Sequence, residues 1–212
     1  MANFYNALEW ILGNPTSFFG AFNRHLMLCL ISLGIAALVS IPVGIVVARA
    51  PRASFVAINI AGAARSIPSL AILAAAMPLL GIGLYPSLIA LVVLAVPPLL
   101  LNTVIGIREV DQSVLDAANG MGMGRGDILW QIELPLAVPS ILSGIRTAAI
   151  QVIGGAALAS FIGGGGLGDF INAGIAMMDM SRLLVGAIPI AVLAIFAEFA
   201  FGWLQRSFSY RR

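Results

Sequence analysis

Charge is scarce in this chain. Only 9% of its 212 residues are charged, whereas 60% are hydrophobic. A soluble globular domain carries about a quarter charged residues, so this composition excludes an ordinary soluble domain and implies a membrane protein. The eleven basic residues are all arginine, and the formal net charge of +2 is too small to suggest nucleic acid as a partner. The single cysteine, Cys29, lies in an apolar run. That excludes a disulfide framework or a thiol metal cluster and leaves a small buried hydrophobe. The single histidine, His25, has no cysteine or second histidine to join as a metal ligand and reads as a membrane-boundary residue. The N-terminus also lacks the basic region and apolar stretch of a cleaved signal peptide, so insertion is expected to rely on the membrane spans themselves. No internal repeat and no low-complexity tail is visible.

What is abundant is apolar run. A hydrocarbon core of about 30 Å needs roughly 20 apolar residues in a helix. Leu26–Ala48, Pro139–Phe161 and Leu183–Leu204 qualify outright. Ser54–Leu80 is long enough but is interrupted by Arg65 and Pro68, and Ser87–Ile105 is bent if anything by Pro97 and Pro98. "GIGLYP" (Gly81–Pro86) reads as a tight turn. The expectation is an all-α protein with five transmembrane helices. Arginine placement orients them. With the N-terminus outside, the inner side receives Arg49, Arg52, Arg108, Arg125, Arg206, Arg211 and Arg212, and the outer side only Arg24 and Arg182. Trp203 fits an interfacial anchor. Residues 1–25 form an outer segment in which Phe4, Leu8, Ile11 and Leu12 repeat at helical spacing, predicting a short surface helix over Asn3–Leu12. Residues 26–212 form the membrane domain.

Between the third and fourth spans lies a polar island, about 108–135, whose core reads "DAANGMGMGRGDILWQIELP" (Asp116–Pro135). Ser113 and Asp116 have capping-box spacing, and Leu115, Ala117 and Ala118 continue a short helix. Gly120 or Gly122 can end it in the left-handed conformation. Asp127 then sits near the start of a second short helix carrying Ile128, Leu129 and Ile132. Two short helices set at an angle by glycines form a compact knob on the cytoplasmic side.

The spacing of acid-Ala-Ala, three residues, Gly, nine residues, Ile-x-Leu-Pro resembles the cytoplasmic signature of permease subunits of binding-protein-dependent ABC importers. Here it is Asp116-Ala117-Ala118, Gly122, Ile132, Leu134 and Pro135, with Asp116 where the usual residue is the longer Glu. The resemblance implies that the first island helix docks into a groove of a partner ATPase, with Ala117 and Ala118 as expected contact points. "RSIPSLAILAAAMPLLGIG", "GIREVDQSVLDAANGMGM", "LPLAVPSILSGIRTAA" and "ASFIGGGGLGDFI" further resemble the branch importing glycine betaine, choline and carnitine. It covers roughly Leu26–Leu204. The family implies a multi-pass subunit of the bacterial cytoplasmic membrane that is not itself an enzyme. It also implies partner ATPase subunits carrying ATP and Mg, a second permease chain and an extracytoplasmic solute-binding protein. Because the sequence stops at Arg212 without a fused binding domain, that protein is expected to be a separate chain.

Other patterns have plainer readings. Gly163-x-Gly165-x-x-Gly168 matches a dinucleotide fingerprint but has no βαβ unit around it; a re-entrant or hinge segment is expected. Gly166-Leu-Gly168-Asp169 matches an intramembrane aspartyl protease motif, yet such chemistry needs a second aspartate close enough to share a proton. Arg65 and Arg146 fall inside spans, where charge must be paired or hydrated. Either each is structural, Arg65 bonding the carbonyl that Pro68 frees near residue 64, or they line a translocation path or gate with Ser66, Pro68 and Ser69. Glu198 could pair an arginine of another element. No Trp or Tyr lies mid-span to form a cage for a quaternary ammonium, so tight selection is expected in the binding protein. An importer of another small solute, such as an amino acid, is the alternative within the class. A self-contained secondary transporter would instead predict inverted repeats and several intramembrane acids.

Overall fold

The structure, a computed structural model, describes residues 2–209. Met1, Tyr210, Arg211 and Arg212 lie outside the described residues, so the two terminal arginines counted toward the inner side are not placed. All regular elements among the described residues are helical. In order they are α1 (Ala2–Gly13), α2 (Pro15–Ala48), α3 (Pro51–Ala64), α4 (Ser69–Leu80), α5 (Leu84–Arg108), α6 (Gln112–Gly120), α7 (Arg125–Ile128), α8 (Leu134–Ala159), α9 (Gly168–Ala176) and α10 (Met180–Ser209). A π-helical turn over Leu129–Glu133 joins α7 to α8, and a 3-10 turn over Ser160–Ile162 follows α8.

Four helices are long and apolar enough to cross a membrane, and the count reaches five only if a bent pair is one span. That pair is α3 with α4, and the two meet at 94°. The sequence predicts one interrupted helix over Ser54–Leu80; the structure corrects it to two short ones. Pro68 is the cause: it has no N–H to donate and disfavours helical geometry in the residue before it. The Ser66 and Ile67 amides turn back on the carbonyls of Ala63 and Ala64 instead. The Ala64 carbonyl is therefore already taken, and Arg65 is not needed to satisfy it.

Two other boundaries move. Helix α2 begins at Pro15, well before the expected Leu26, and at 34 residues is about 51 Å long. That exceeds a hydrocarbon core of about 30 Å, and its first turns carry a Phe18–Phe19–Phe22 cluster. The turn in "GIGLYP" is only Gly81–Gly83, with φ of +79° and +124° at the glycines; Leu84, Tyr85 and Pro86 already belong to α5. The amphipathic segment does form α1, but most of its stripe points away from the chain, with only Ile11 half-buried against the core. Phe4, Leu8 and Leu12 are exposed, while Ala7 is buried and Trp10 packs edge-on against Phe170.

Helix α5 is the hub, packing on α2, α3, α4 and α8. Lipid is as apolar as leucine, so close packing of small residues must do what hydrophobicity cannot. A Cβ on Gly44 would lie 2.8 Å from Thr103, one on Gly106 2.7 Å from Ser140, and one on Gly155 2.7 Å from Leu94. Thr103 and Ser32 turn their hydroxyls onto carbonyls of α5. Outward, Leu38, Val46, Leu79, Phe199 and Trp203 are exposed, as a lipid-facing surface requires.

At the far end from the island, Gly163–Gly168 is a pinned loop. Arg24 Nε donates to the Gly164 carbonyl at 3.1 Å, and Gly165 and Gly166 take φ of +77° and +96°. Helix α10 presses on this loop at Gly186, where a Cβ would lie 2.5 Å from the Leu167 carbonyl oxygen. Gly186→Val should therefore lower stability by about 1–3 kcal/mol through overpacking, read as a lower melting temperature in detergent. Gly62→Ala, with no atom within 4 Å of the added Cβ, should leave it unchanged.

Candidate functional site

The island folds as a knob beneath the end of α5. Asp111, not the Ser113–Asp116 pair, caps α6: its side chain accepts from the Ser113 amide at 2.9 Å. The expected capping box is thus corrected. The helix starts two residues before Asp116 could serve, and the Asp116 carboxylate accepts from Gln112 Nε2 at 2.9 Å. The other end closes as expected. The Met123 amide reaches the Ala118 carbonyl and the Gly122 amide that of Asn119, with Gly122 at φ +82°. This is a Schellman termination. Nothing lies within 4 Å of a Cβ built on Gly122, so the need for glycine there is conformational.

Helix α7 is capped by Gly124, whose amide donates to Asp127 Oδ2 at 3.3 Å. The π turn that follows has a cause in Pro135. Lacking an N–H, Pro135 cannot bond the carbonyl four residues back, and the Leu134 amide reaches Leu129 five back instead. Ile132 and Leu134 are half-buried, and Leu134 packs with Leu129 on the core of Val104, Ile107 and Ala137. Asp116, Ala117, Ala118 and Gly122 thus lie in the α6 arm and Ile132, Leu134 and Pro135 at the root.

Burial separates the two alanines. Ala118 is fully covered by its own chain, while Ala117 is exposed, so only Ala117 of the pair is available as a contact. The exposed apolar side chains near it are Val114 and Met121, which composition alone did not single out. Two ties on the root were also missed. Arg49 Nη2 lies 2.8 Å from Glu133 Oε2 and donates to the Arg125 carbonyl at 3.3 Å. Arg108 Nη1 donates to Ser54 Oγ at 3.0 Å. Opposite charge was the only available signal, and nothing in the sequence says that the α2–α3 corner meets the island.

Above the knob is a cavity of about 570 Å³, mostly apolar, between the α3–α4 break, α5 and α8. Arg65 and Ser69 line it; Ser66 and Pro68 form the turn beside it. Gln151 also faces it, and its buried Oε1 has no partner among the described residues. Arg146 is not part of this cavity. Its Nε donates to Glu198 Oε2 at 2.8 Å across α8 and α10, and a second nitrogen pairs with the other carboxylate oxygen. Glu198 therefore pairs with an arginine of another element, as expected, and neutralises it within the bundle.

A knob of this build under a bent-helix cavity has relatives. Residues 40–210 match the family described as the inner membrane component of binding-protein-dependent transport systems. The chain belongs to that family. This permease is 41% identical over 182 residues to the carnitine transport permease protein OpuCB of Listeria monocytogenes, covering 86% of this chain and 84% of that one. It is 40% identical over 183 residues to the choline transport system permease protein OpuBB of Bacillus subtilis (strain 168), with the same coverage. Among solved structures, an inward-facing form of the MetNI methionine ABC transporter matches with a TM-score of 0.77 at 20% identity, covering 91% of this chain and 96% of that one. At that identity the likeness concerns the fold alone. The permease is a multi-pass membrane protein of the ABC-importer type.

Asp111 makes one property of the knob pH-dependent. Hydrogen bonding from Ser113 holds its carboxyl below the usual aspartate range. Its capping is therefore fully present above the unfolded-state pKa and is lost as pH falls through the lower folded value. Hydrogen-exchange protection of the α6 amides should drop on acidification through that window, and Asp111→Asn should abolish the dependence while keeping a cap.

Proposed function

We propose that this chain is the membrane-spanning subunit of an importer for quaternary-amine osmoprotectants of the glycine betaine, choline and carnitine type. The observation that carries the substrate class is the 40–41% identity to permeases named for carnitine and choline, over 86% of this chain. In this reading the subunit is not an enzyme. ATP and Mg are bound by partner ATPase subunits, a second permease chain completes the pore, and a solute-binding protein delivers the substrate. The bilayer is the bacterial cytoplasmic membrane. The bent α3–α4 pair is the second of five crossings, the N-terminus and the Gly163–Gly168 loop are outside, and the island is inside.

The chemistry of the cavity supports this reading. A quaternary ammonium has no N–H to donate and is weakly hydrated, so mostly apolar walls suit its passage. Among the described residues, Arg65 offers the only formal charge on the lining, of the sign that would meet the carboxylate of a betaine or carnitine. No Trp or Tyr among the described residues lines the cavity, which fits a path with weak binding, leaving tight selection to the binding protein. Ser66, Pro68 and Ser69 shape the break and Ser69 its wall. Arg146, held by Glu198, serves assembly of α8 on α10 in this reading.

The α6 arm is the proposed docking element, through Val114, Ala117 and Met121, with Asp116 beside them. Affinity purification of the tagged permease should bring down an ATPase subunit. Met121→Glu, which puts an unpaired charge into the contact, should weaken that association by about tenfold or more, in line with a cost of 1–3 kcal/mol for a desolvated charge or polar group. Retention of wild-type association and uptake by Met121→Glu would reduce α6 to a solvated loop.

Orientation has its own measurement. In intact cells a membrane-impermeant maleimide should label a cysteine at Met178, which is 95% exposed. One at Arg125 should react only after permeabilisation, and the opposite pattern would invert the topology.

A further inference from the structure

The corner between α2 and α3 is tied to both roots of the island. Arg49, the first residue after α2, bridges Glu133 Oε2 at 2.8 Å and the Arg125 carbonyl at 3.3 Å, where the island returns to α8. Three residues into α3, buried Ser54 accepts from Arg108 Nη1 at 3.0 Å, where the island leaves α5. From that corner α3 runs without interruption to Ala64 and Arg65, which line the cavity. Between Ala50 and Arg65 there is no proline or glycine hinge other than Pro51 at the helix start and Gly62 near its end, so α3 can move as one piece.

We infer that the Arg49–Glu133 pair is a transmission link: it makes the α2–α3 corner follow the island, and α3 carries the displacement to the Arg65 break. The inference rests on the island being the ATPase-docking element. The link is electrostatic and shallow, with Arg49 39% and Glu133 13% exposed. A pair of that exposure adds little to folding, but it fixes which surface moves with which. Arg49 and Glu133 touch neither the cavity nor the exposed face of α6. They are positioning residues, and their removal should separate two quantities that a merely structural defect would lower together.

The test uses the whole complex, permease with its ATPase and binding protein, in proteoliposomes. Three readouts are needed: ATPase co-purification, ATP hydrolysis, and radiolabelled glycine betaine taken up per ATP hydrolysed. Arg49→Ala and Glu133→Gln should keep the first two near wild type. Uptake per ATP should fall about two- to thirtyfold, the range that loss of one link in a coupling network produces. The exchange Arg49→Glu with Glu133→Arg should recover most of that loss, and Arg49→Lys, which keeps the charge without the forked geometry, should be intermediate. An unchanged uptake-to-hydrolysis ratio in Arg49→Ala would overturn the inference. So would a parallel fall of association, hydrolysis and uptake, or an exchanged pair no better than the single variants. A wild-type complex that recruits no ATPase or moves no glycine betaine would instead defeat the functional reading beneath it, before any variant is made.

Discussion

Every peptide group of this chain that meets hydrocarbon must bond within the protein, because lipid offers no partner. That constraint explains why the regular elements among the described residues are all helices and where they are allowed to break. The α3–α4 break opens on a cavity and re-bonds through the Ser66 and Ile67 amides. The loop after α8 is re-bonded by the Gly164 amide to Ala159 and by the Gly83 amide to the Ile162 carbonyl. The π turn before α8 re-bonds the Leu134 amide to Leu129, five residues back, around Pro135. Each irregularity sits where another element covers it or at the end of a span.

The same medium dictates how the helices hold together. With water absent there is little hydrophobic gain in pressing leucine on leucine, so contact depends on fit. Gly44 against Thr103, Gly106 against Ser140 and Gly144 against Asn102 bring α2 and α8 close to α5, where a methyl group would collide. The one charge pair between α8 and α10 follows as well. Arg146 and Glu198 are 35% and 37% exposed, so the pair neutralises a charge on an apolar helix and adds little to stability.

Hydropathy made the long helices legible, and of the two glycines that could end α6, Gly120 and Gly122, it is Gly122 that takes the left-handed turn. What the sequence concealed has physical reasons. Capping is a contest among nearby oxygens, and Asp111 wins over Ser113 because it lies one residue before the helix whereas Ser113 lies inside it. Amphipathicity says that a helix has two faces but not which one the rest of the chain takes. Ala118 is therefore covered while Val114 and Met121 stay out, and in α1 the Phe4, Leu8 and Leu12 side of the stripe is left exposed while Ile11 packs inward. Hydropathy windows average over a single proline, so Ser54–Leu80 passed as one span despite Pro68. Long-range pairs such as Arg49 with Glu133 are invisible to any local pattern, since 84 residues separate them.

Continuity then decides what can move with what. From Arg125 to Ile162 the chain stays helical through α7, the π turn and α8, so Gln151 and Gly155 at the cavity sit on the same rod as the base of the knob. Those 26 steps from Arg125 to Gln151 span about 39 Å at 1.5 Å per residue, and a helix that long transmits a tilt with little loss. A rod pushed alone would slide past its neighbours, shearing the tight glycine contacts with α5. With α3 tied to the same base through Arg49 and to the end of α5 through Arg108 and Ser54, both walls of the cavity would tilt together with α5 between them. A bundle whose close contacts tolerate little sliding is better served by moving tied elements together than by sliding any one of them past α5.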